Sequence, residues 1–455
     1  MPILLISTYD LGRQPFGIAS PAAWLRRAGL DVITRDVSRE PLHDDDDVVA
    51  ATRVAVYLPM HTATRLALPV IDRIRAVRPE LELCAYGLYA PLNADLLRER
   101  GVQTILGPEA EADLVDWATG AGSRGVSASA APTNTAPRTR TPASVVDRLQ
   151  FITPDRSTLP DLTRYATLQM PDGSRRTAGA TEATRGCKHR CRHCPIVPVY
   201  DGQFRVVGVD VVMADIDQQV GGGAQHITFG DPDFFNGPTH ARRIVEALHA
   251  RHPAITYDVT IKVEHLLRHR ELLPVLARTG CVFVTSAVES VDDEILRRFE
   301  KNHTRADFEQ AVQLMRDAGL VLAPTFVAFT PWTSLEGYRG LLDSVDRLDL
   351  VEHVALVQWA LRLLITQGSR LLELDDIRAR VGAFDRQSLT YPWQHDDPRM
   401  DDLQRMIAKF VGVRINRSRR EVFEEIRVLA GGAAEDARPL LARAAIPYLN
   451  EPWYC

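Results

Sequence analysis

Three cysteines fall within eight residues of the stretch ATRGCKHRCRHCPIVPVY, residues 183–200, at Cys187, Cys191 and Cys194. The C-x3-C-x2-C spacing has no fourth cysteine nearby. Thiolates are soft ligands, so the choices are zinc, an iron–sulfur cluster or a redox thiol pair. A structural zinc ion needs a fourth ligand, which His189 or His193 would have to supply, and zinc ligands usually come as two separated pairs. A four-iron cubane normally takes four cysteines. Three would leave one iron open to a ligand that is not a side chain.

Such a loop needs a scaffold. After it, short apolar runs alternate with amphipathic helical patterns. Strand candidates are residues 226–229, 255–263, 281–290, 320–329 and 353–361, and another strand leads into Cys187. Between them, residues 306–319 read as a helix with Phe308, Val312, Leu314 and Met315 toward one side. Six βα-type units predict an incomplete barrel, whose active groups lie at the C-terminal ends of its strands. Residues 376–455 turn charged and helical.

The first 120 residues show the same alternation, with buried parallel strands expected at 3–7, 54–60, 83–89 and 102–107. Leu66, Val70, Ile74 and Val77 recur at helical spacing, with Pro69 expected to bend that helix or mark its first turn. Asp44 to Asp47 read as a solvated loop. Residues 121–144, rich in Ser, Thr, Ala and Pro, read as a flexible linker. The expected organisation is therefore α/β throughout. A Rossmann-like domain spans 1–120, a partial (βα)6 barrel 145–375 and a helical region 376–455.

Bulk properties narrow the class. At 455 residues, two or three domains are expected. A hydrophobic content of 45% with 25% charged residues is that of a globular protein. A net charge of -5 without a basic stripe argues against a nucleic-acid partner. No apolar run reaches the roughly 18 residues of a membrane span. The beginning, MPILLISTYDLG, reads as a buried strand rather than a signal peptide. Six cysteines, three of them clustered, do not make a disulfide framework, so a reducing, cytoplasmic location is expected.

The cysteine loop, set after a first barrel strand, resembles the signature of the radical S-adenosylmethionine (radical SAM) superfamily. The resemblance implies one [4Fe-4S] cluster on Cys187, Cys191 and Cys194, with SAM on the open iron and a 5′-deoxyadenosyl radical as product of its reductive cleavage. It implies an electron donor such as flavodoxin or ferredoxin, with a partner reductase as an option. In FGDPDFF, residues 229–235, Gly230 and Asp231 would meet the SAM amino group; an Asp-Pro turn is the plain alternative. In the segment 287–304, Glu289 and Ser290 would reach SAM, although Glu289 alone also reads as a helix-start charge. His193 would lie near adenine, and Arg362 would pair with the SAM carboxylate or sit on the surface. Lys262, Glu264 and His265 end the third strand and would face SAM or substrate, or else form a helix-start charge cluster.

The resemblance extends over residues 1–455 to bacterial radical SAM proteins whose tail reads Cys-Cys-Ala-Glu-Pro or carries selenocysteine. This chain ends in IPYLNEPWYC, so arsenical natural-product chemistry, which leans on tail thiols, is left with Cys455 alone. Tyr448, Trp453 and Tyr454 are expected to dock as a lid on the barrel mouth. The N-terminal domain resembles a cobalamin-binding domain, but TYDLGRQPFGI carries Asp10 and Gly12 without the ligand histidine. Cobalamin is accordingly not expected. Members of similar layout act in aminoglycoside biosynthesis, which suggests dehydration of a vicinal diol on an aminosugar, with Asp231, Asp233, Glu264 and His265 as acid–base and ammonium-binding groups. Cobalamin-dependent methyl transfer is the rival activity, and a zinc-stabilised binding protein the rival without catalysis.

Overall fold

The computed structural model describes residues 2–120, 149–433 and 444–450. The chain divides into two compact units, Met1–Tyr9 with Pro15–Leu159 and Asp10–Gln14 with Pro160–Cys455. The expected linker lies wholly outside the described residues, as do Trp453, Tyr454 and Cys455.

The first unit is a five-stranded parallel sheet. Its strands are β1 (Ile3–Ser7), β2 (Val32–Asp36), β3 (Arg53–Tyr57), β4 (Glu82–Tyr86) and β5 (Thr104–Ile105), in the order β2-β1-β3-β4-β5. Helices α1 (Phe16–Arg27), α2 (His61–Val77), α3 (Ala94–Glu99) and α4 (Glu111–Thr119) connect them. Every residue of β1 is buried, as a central parallel strand requires. β2 escaped the sequence reading because only Val32 and Ile33 are apolar, and Thr34, Arg35 and Asp36 follow them, so there is no apolar run although burial alternates. Two expectations are corrected. Pro69 sits inside α2, and the helix buries Ala63, Ala67, Ile71 and Ile74 while Leu66 is exposed. Ala63, Ala67, Leu68, Ile71 and Ile74, not Leu66 and Val70, carry the packed stripe. The acidic run is not a free loop either. It forms a π-helical turn, Asp44–Val49, in which buried Asp47 accepts from Arg35 Nε at 2.9 Å.

The second unit holds β6 (Thr167–Gln169), β7 (Arg175–Thr181), β8 (Thr184–Gly186), β9 (Phe204–Val206), β10 (His226–Phe229), β11 (Thr256–Thr260), β12 (Cys281–Glu289), β13 (Leu322–Phe326) and β14 (Tyr448–Asn450). Its helices are α5 (Val197–Tyr200), α6 (Val209–Gly221), α7 (Pro238–Arg251), α8 (Val263–Arg268), α9 (Leu273–Arg278), α10 (Asp293–Phe299), α11 (Arg305–Asp317), α12 (Leu335–Arg347), α13 (Asp375–Arg380), α14 (Pro398–Gly412) and α15 (Arg419–Leu429). The main sheet runs β13-β12-β11-β10-β7-β6-β14. β7 and β10 to β13 pair in parallel, while β6 and β14 add antiparallel edges. This is a curled half-barrel with helices between its strands, and the C-terminal region is helical as expected.

The sixth barrel strand, expected at 353–361, is instead a pair of 3₁₀ turns, Val351–His353 and Leu356–Ala360. One parallel bridge, Phe329↔Arg362, marks its place in the sheet. The run is apolar because Trp359, fully buried, stacks on Phe326 and packs against Phe423. Burial of that kind suits a strand and a turn equally, and a short apolar run does not distinguish them. In α11 the buried face is Phe308, Ala311, Val312 and Met315, with Leu314 at its margin. Tyr448, assigned to the tail, opens β14 and pairs with Gln169.

Candidate active site

β7 ends at Thr181, and the chain enters the short antiparallel hairpin of β8 and β9, which closes the cysteine loop between them. Gly186, the last residue of β8, has φ 78°, and a Cβ there would fall 2.5 Å from Tyr200 Cδ1 and 2.6 Å from the Gln203 carbonyl oxygen. Asn236 pins the other side: Lys188 N donates to its Oδ1 at 3.2 Å, and its Nδ2 donates to the Gly186 carbonyl at 3.3 Å. Gly186→Ala should therefore spread the hairpin. The expected result is loss of most of the iron from reconstituted protein, measured by metal analysis, with the rest of the chain still folded by circular dichroism.

Cys187 and Cys191 are buried and Cys194 half-buried. Burial pushes the Cys187 thiol up to about 11 and that of Cys194 to about 12. Thiols so placed ionise when a cation takes up the charge. Lys262 Nζ lies 3.7 Å from Cys191 Sγ and supplies one positive charge. Neither neighbouring histidine completes the thiol set. His189 Nε2 faces Asp233 at 3.2 Å, and His193 Nε2 faces Glu289 at 3.3 Å. Among the described residues, the one trio of ligand atoms gathered within 4.8 Å contains no thiol. Three thiols without a fourth protein ligand fit a cubane with an open iron better than a single zinc ion.

The ends of β10 and β11 bring the next residues together. Gly230 is exposed, and a Cβ there would make only ordinary contacts, so backbone is open at this edge. Asp231 is not: its oxygens accept from Ala183 N at 2.9 Å and Thr184 Oγ1 at 2.5 Å, and burial pushes its carboxyl up to about 7. It ties β10 to the strand entering the cysteine loop. Asp233 and His265 are fully buried, with Asp233 Oδ2 2.7 Å from His265 Nδ1. Lys262 caps the start of α8, 3.6 Å from Glu264 Oε2. Glu264 keeps partial exposure, and its Oε1 accepts from Arg268.

At the end of β12, Glu289 takes φ 69° beside a register shift in the β12–β13 pairing. Its Oε1 lies 3.4 Å from Lys301 Nζ, and both residues are buried. His193 packs its ring on Phe299, centroids 4.6 Å apart. Ser290 Oγ accepts from Asp292 N at 3.0 Å, a turn contact. Arg362 stands apart from this group: its terminal nitrogens donate to Asp401 and the Trp393 carbonyl, each at 2.6 Å, and its guanidinium lies on the Trp393 ring. The sequence reading missed Lys301, His189 as a partner of carboxylates, and Asn236. Lys301 stands between the positive-φ residues Glu300 and Asn302, a turn that a residue-type reading does not reveal.

Residues 181–330 match the model of the Radical SAM superfamily. The chain is similar to the hopanoid C-3 methylase of Methylococcus capsulatus, 24% identical over 339 residues, covering 72% of this chain and 64% of that protein. It is also similar to the bacteriochlorophyllide d C-12(1)-methyltransferase of Chlorobaculum tepidum, 23% identical over 133 residues, covering 29% and 28%. The alignments thus span less than two thirds of either relative. Among solved structures, the cobalamin-dependent S-adenosylmethionine radical enzyme OxsB with aqua-cobalamin bound superposes with a TM-score of 0.71 at 15% identity, covering 91% of this chain and 67% of that one. The radical S-adenosylmethionine methyltransferase TsrM from Kitasatospora setae gives 0.59 at 17% identity, covering 76% and 71%. These likenesses establish a shared fold. With its three-cysteine loop at the head of a half-barrel and the family match over residues 181–330, the chain carries a radical SAM domain.

Proposed function

We propose that this radical SAM enzyme removes water from a vicinal diol on a small cationic sugar, such as an aminosugar of a pseudodisaccharide, and works without cobalamin. When bound, the [4Fe-4S] cluster and SAM supply a 5′-deoxyadenosyl radical that takes a hydrogen from a hydroxyl-bearing carbon. Cys187, Cys191 and Cys194 hold the cluster in this reading. The open backbone at Gly230 and the groups Glu289, Ser290, Lys262 and His193 hold SAM. Electrons come from a flavodoxin- or ferredoxin-type donor in a reducing cytoplasm.

The observation that carries the substrate class is Glu264. It sits at the β11 end of the cysteine-loop rim and keeps partial exposure as a side chain, with Oε1 accepting from Arg268 and Oε2 buried without a hydrogen bond. A carboxylate there can accept the proton of the hydroxyl on the carbon that has lost hydrogen, or hold an ammonium group. Asp231 is assigned a positioning role, because both its oxygens are taken by Ala183 and Thr184. Full burial withholds Asp233 and His265 from a substrate. Arg362 is assigned to the α14 contact rather than to SAM.

The case against cobalamin lies in the first unit. In a doubly wound sheet, ligands sit beyond the C-terminal strand ends where the strand order reverses. Here that switch lies between β1 and β3. Two tyrosines pack against Gly17 beside it: a Cβ on Gly17 would fall 1.9 Å from Tyr57 Cζ, and Tyr86 OH donates to the Gly17 carbonyl at 2.9 Å. The turn after β1 also carries no histidine, and both features support the reading without cobalamin. Cobalamin-dependent methyl transfer is the second reading, favoured by the names of the relatives above.

Protein prepared without cobalamin, incubated anaerobically with SAM, a reductant and paromamine-type pseudodisaccharides, separates the two. The expected product is lighter by one water and accompanied by deoxyadenosine. A methylated product, or strict dependence on added cobalamin, overturns the proposal in favour of methyl transfer.

A further inference from the structure

Three polar atoms in the second unit have no conventional partner. His189 Nε2, Asp233 Oδ2 and His265 Nδ1 lie within 4.8 Å of one another. Asp233 Oδ2 is 3.2 Å from His189 Nε2 and 2.7 Å from His265 Nδ1. Yet none of the three atoms makes a hydrogen bond of acceptable direction, and the second nitrogen of His265 has none either. Asp233 and His265 are fully buried, and His189 is 9% exposed. A buried carboxylate oxygen and imidazole left in this state are unfavourable, and native structures seldom leave them so. The three side chains bring ligand atoms together without pairing them in line, a grouping that suits an ion.

The donor set identifies the ion. Two imidazoles and one carboxylate suit zinc or ferrous iron, and three protein ligands leave a position for water. Ligand atoms at about 2.0–2.2 Å from a tetrahedral ion stand about 3.4 Å apart; two of the spacings here are 3.2 and 2.7 Å, and all lie within 4.8 Å. Glu264 Oε2 lies 3.7 Å from His189 Nδ1, a charge contact too long for a hydrogen bond. The ring of His265 packs on His189 at 4.6 Å and on His269 at 5.5 Å, which holds its plane. The three ligands come from three segments: His189 from the cysteine loop, Asp233 from the turn after β10 and His265 from α8 after β11.

We propose that His189, Asp233 and His265 form a second metal site, for one zinc or ferrous ion, which fastens the cysteine loop to the ends of β10 and β11. The ion adds a crosslink of nitrogen and oxygen ligands beside a loop whose thiols serve another purpose. The site is independent of the reaction assigned above, and its test does not read turnover.

The test is metal analysis of the full-length protein, reconstituted anaerobically with iron and sulfide, supplied with zinc and desalted over a chelating resin. About one zinc per chain beyond the cluster iron is expected. His265→Gln and Asp233→Asn should each lose that equivalent, with His189→Gln as a third variant should either fold poorly. The full chain with Cys187, Cys191 and Cys194 all changed to alanine should lose its iron and keep its zinc. Zinc-edge X-ray absorption should show nitrogen or oxygen neighbours at about 2.0–2.1 Å and no sulfur. A chain that retains no zinc, zinc bound through sulfur, or zinc retained by all three single variants overturns the site. The triple-cysteine arm keeps this result separate from the radical SAM assignment, which fails only if the wild-type chain binds no cluster.

Discussion

Cys187→Ala, Cys191→Ala and Cys194→Ala each abolish SAM cleavage, with deoxyadenosine formation falling to background. The expectation rests on geometry that offers no substitute. The loop is closed by the β8–β9 hairpin, and its two histidines turn to carboxylates rather than to the thiols. In the proposed reading each cysteine is one of three protein ligands to a cubane, so its removal leaves two. Cys84→Ala and Cys281→Ala serve as the contrast. Cys84 is buried in β4 of the first unit, and Cys281 is buried at the start of β12 with its thiol donating to the Phe283 carbonyl at 3.4 Å. Burial raises both thiols well above the ordinary range, so they behave as small core groups. Their loss should cost on the order of 1 kcal/mol in stability and leave iron content and SAM cleavage intact. Iron analysis and chromatography of deoxyadenosine read both results. A Cys84→Ala protein without iron would show that the partition of the cysteines is wrong.

The cysteine loop was legible because its information is local: three soft ligands at fixed spacing, after a strand and before a helix. The parallel strands were legible for a similar reason, since a strand covered on both faces must be apolar along its length. What the sequence hid depends on contacts far apart in the chain. β2 is buried at alternate positions and ends in a buried Asp36, so it carries no apolar run. Residues 353–361 carry such a run, yet turn twice under Trp359. Asp231 and Asp233 differ by two positions and look equivalent in FGDPDFF. One ties down the strand before the cysteine loop, and the other faces two histidines from segments 44 residues before it and 32 after it. Arg362 looked like an anion-binding group until Asp401, 39 residues on, took its guanidinium. Side-chain type predicts what a residue can do, and only the tertiary contact selects among those options.

Glu289→Gln should destabilise the second unit at neutral pH more than any other single carboxylate change at the rim. Burial alone would raise the Glu289 carboxyl, but Lys301 and His193 more than offset it and bring it down to about 2. The pair is shut away from solvent, with Lys301 2% and Glu289 8% exposed. Neutralising one member leaves the Lys301 ammonium buried without its counter-charge, at a cost of about 3–5 kcal/mol. For a unit of this size that is a fall in Tm on the order of 10 °C. Lys301→Met in the Glu289→Gln background should recover much of it, because the unpaired charge is then gone. The pH dependence has a defined sign. A carboxyl depressed on folding adds stability above its unfolded value near 4.5, and loses that stability as pH falls toward about 2. The Tm gap between wild type and Glu289→Gln should therefore be full at pH 7 and narrow progressively below pH 4.5. The structure also gives this residue a second cost. Its φ of 69° is the left-handed conformation, which a residue with a Cβ adopts at about 1–2 kcal/mol. The ion pair and the β12–β13 register shift hold it there, and its Oε1 stays 3.3 Å from His193, the residue before Cys194. Loss of the carboxylate should thus release the backbone and loosen the cysteine loop together. Thermal melts followed by far-ultraviolet circular dichroism, paired with iron retention after dilution, test both. Equal melting of wild type and Glu289→Gln at pH 7 would mean that the buried pair contributes no net stability.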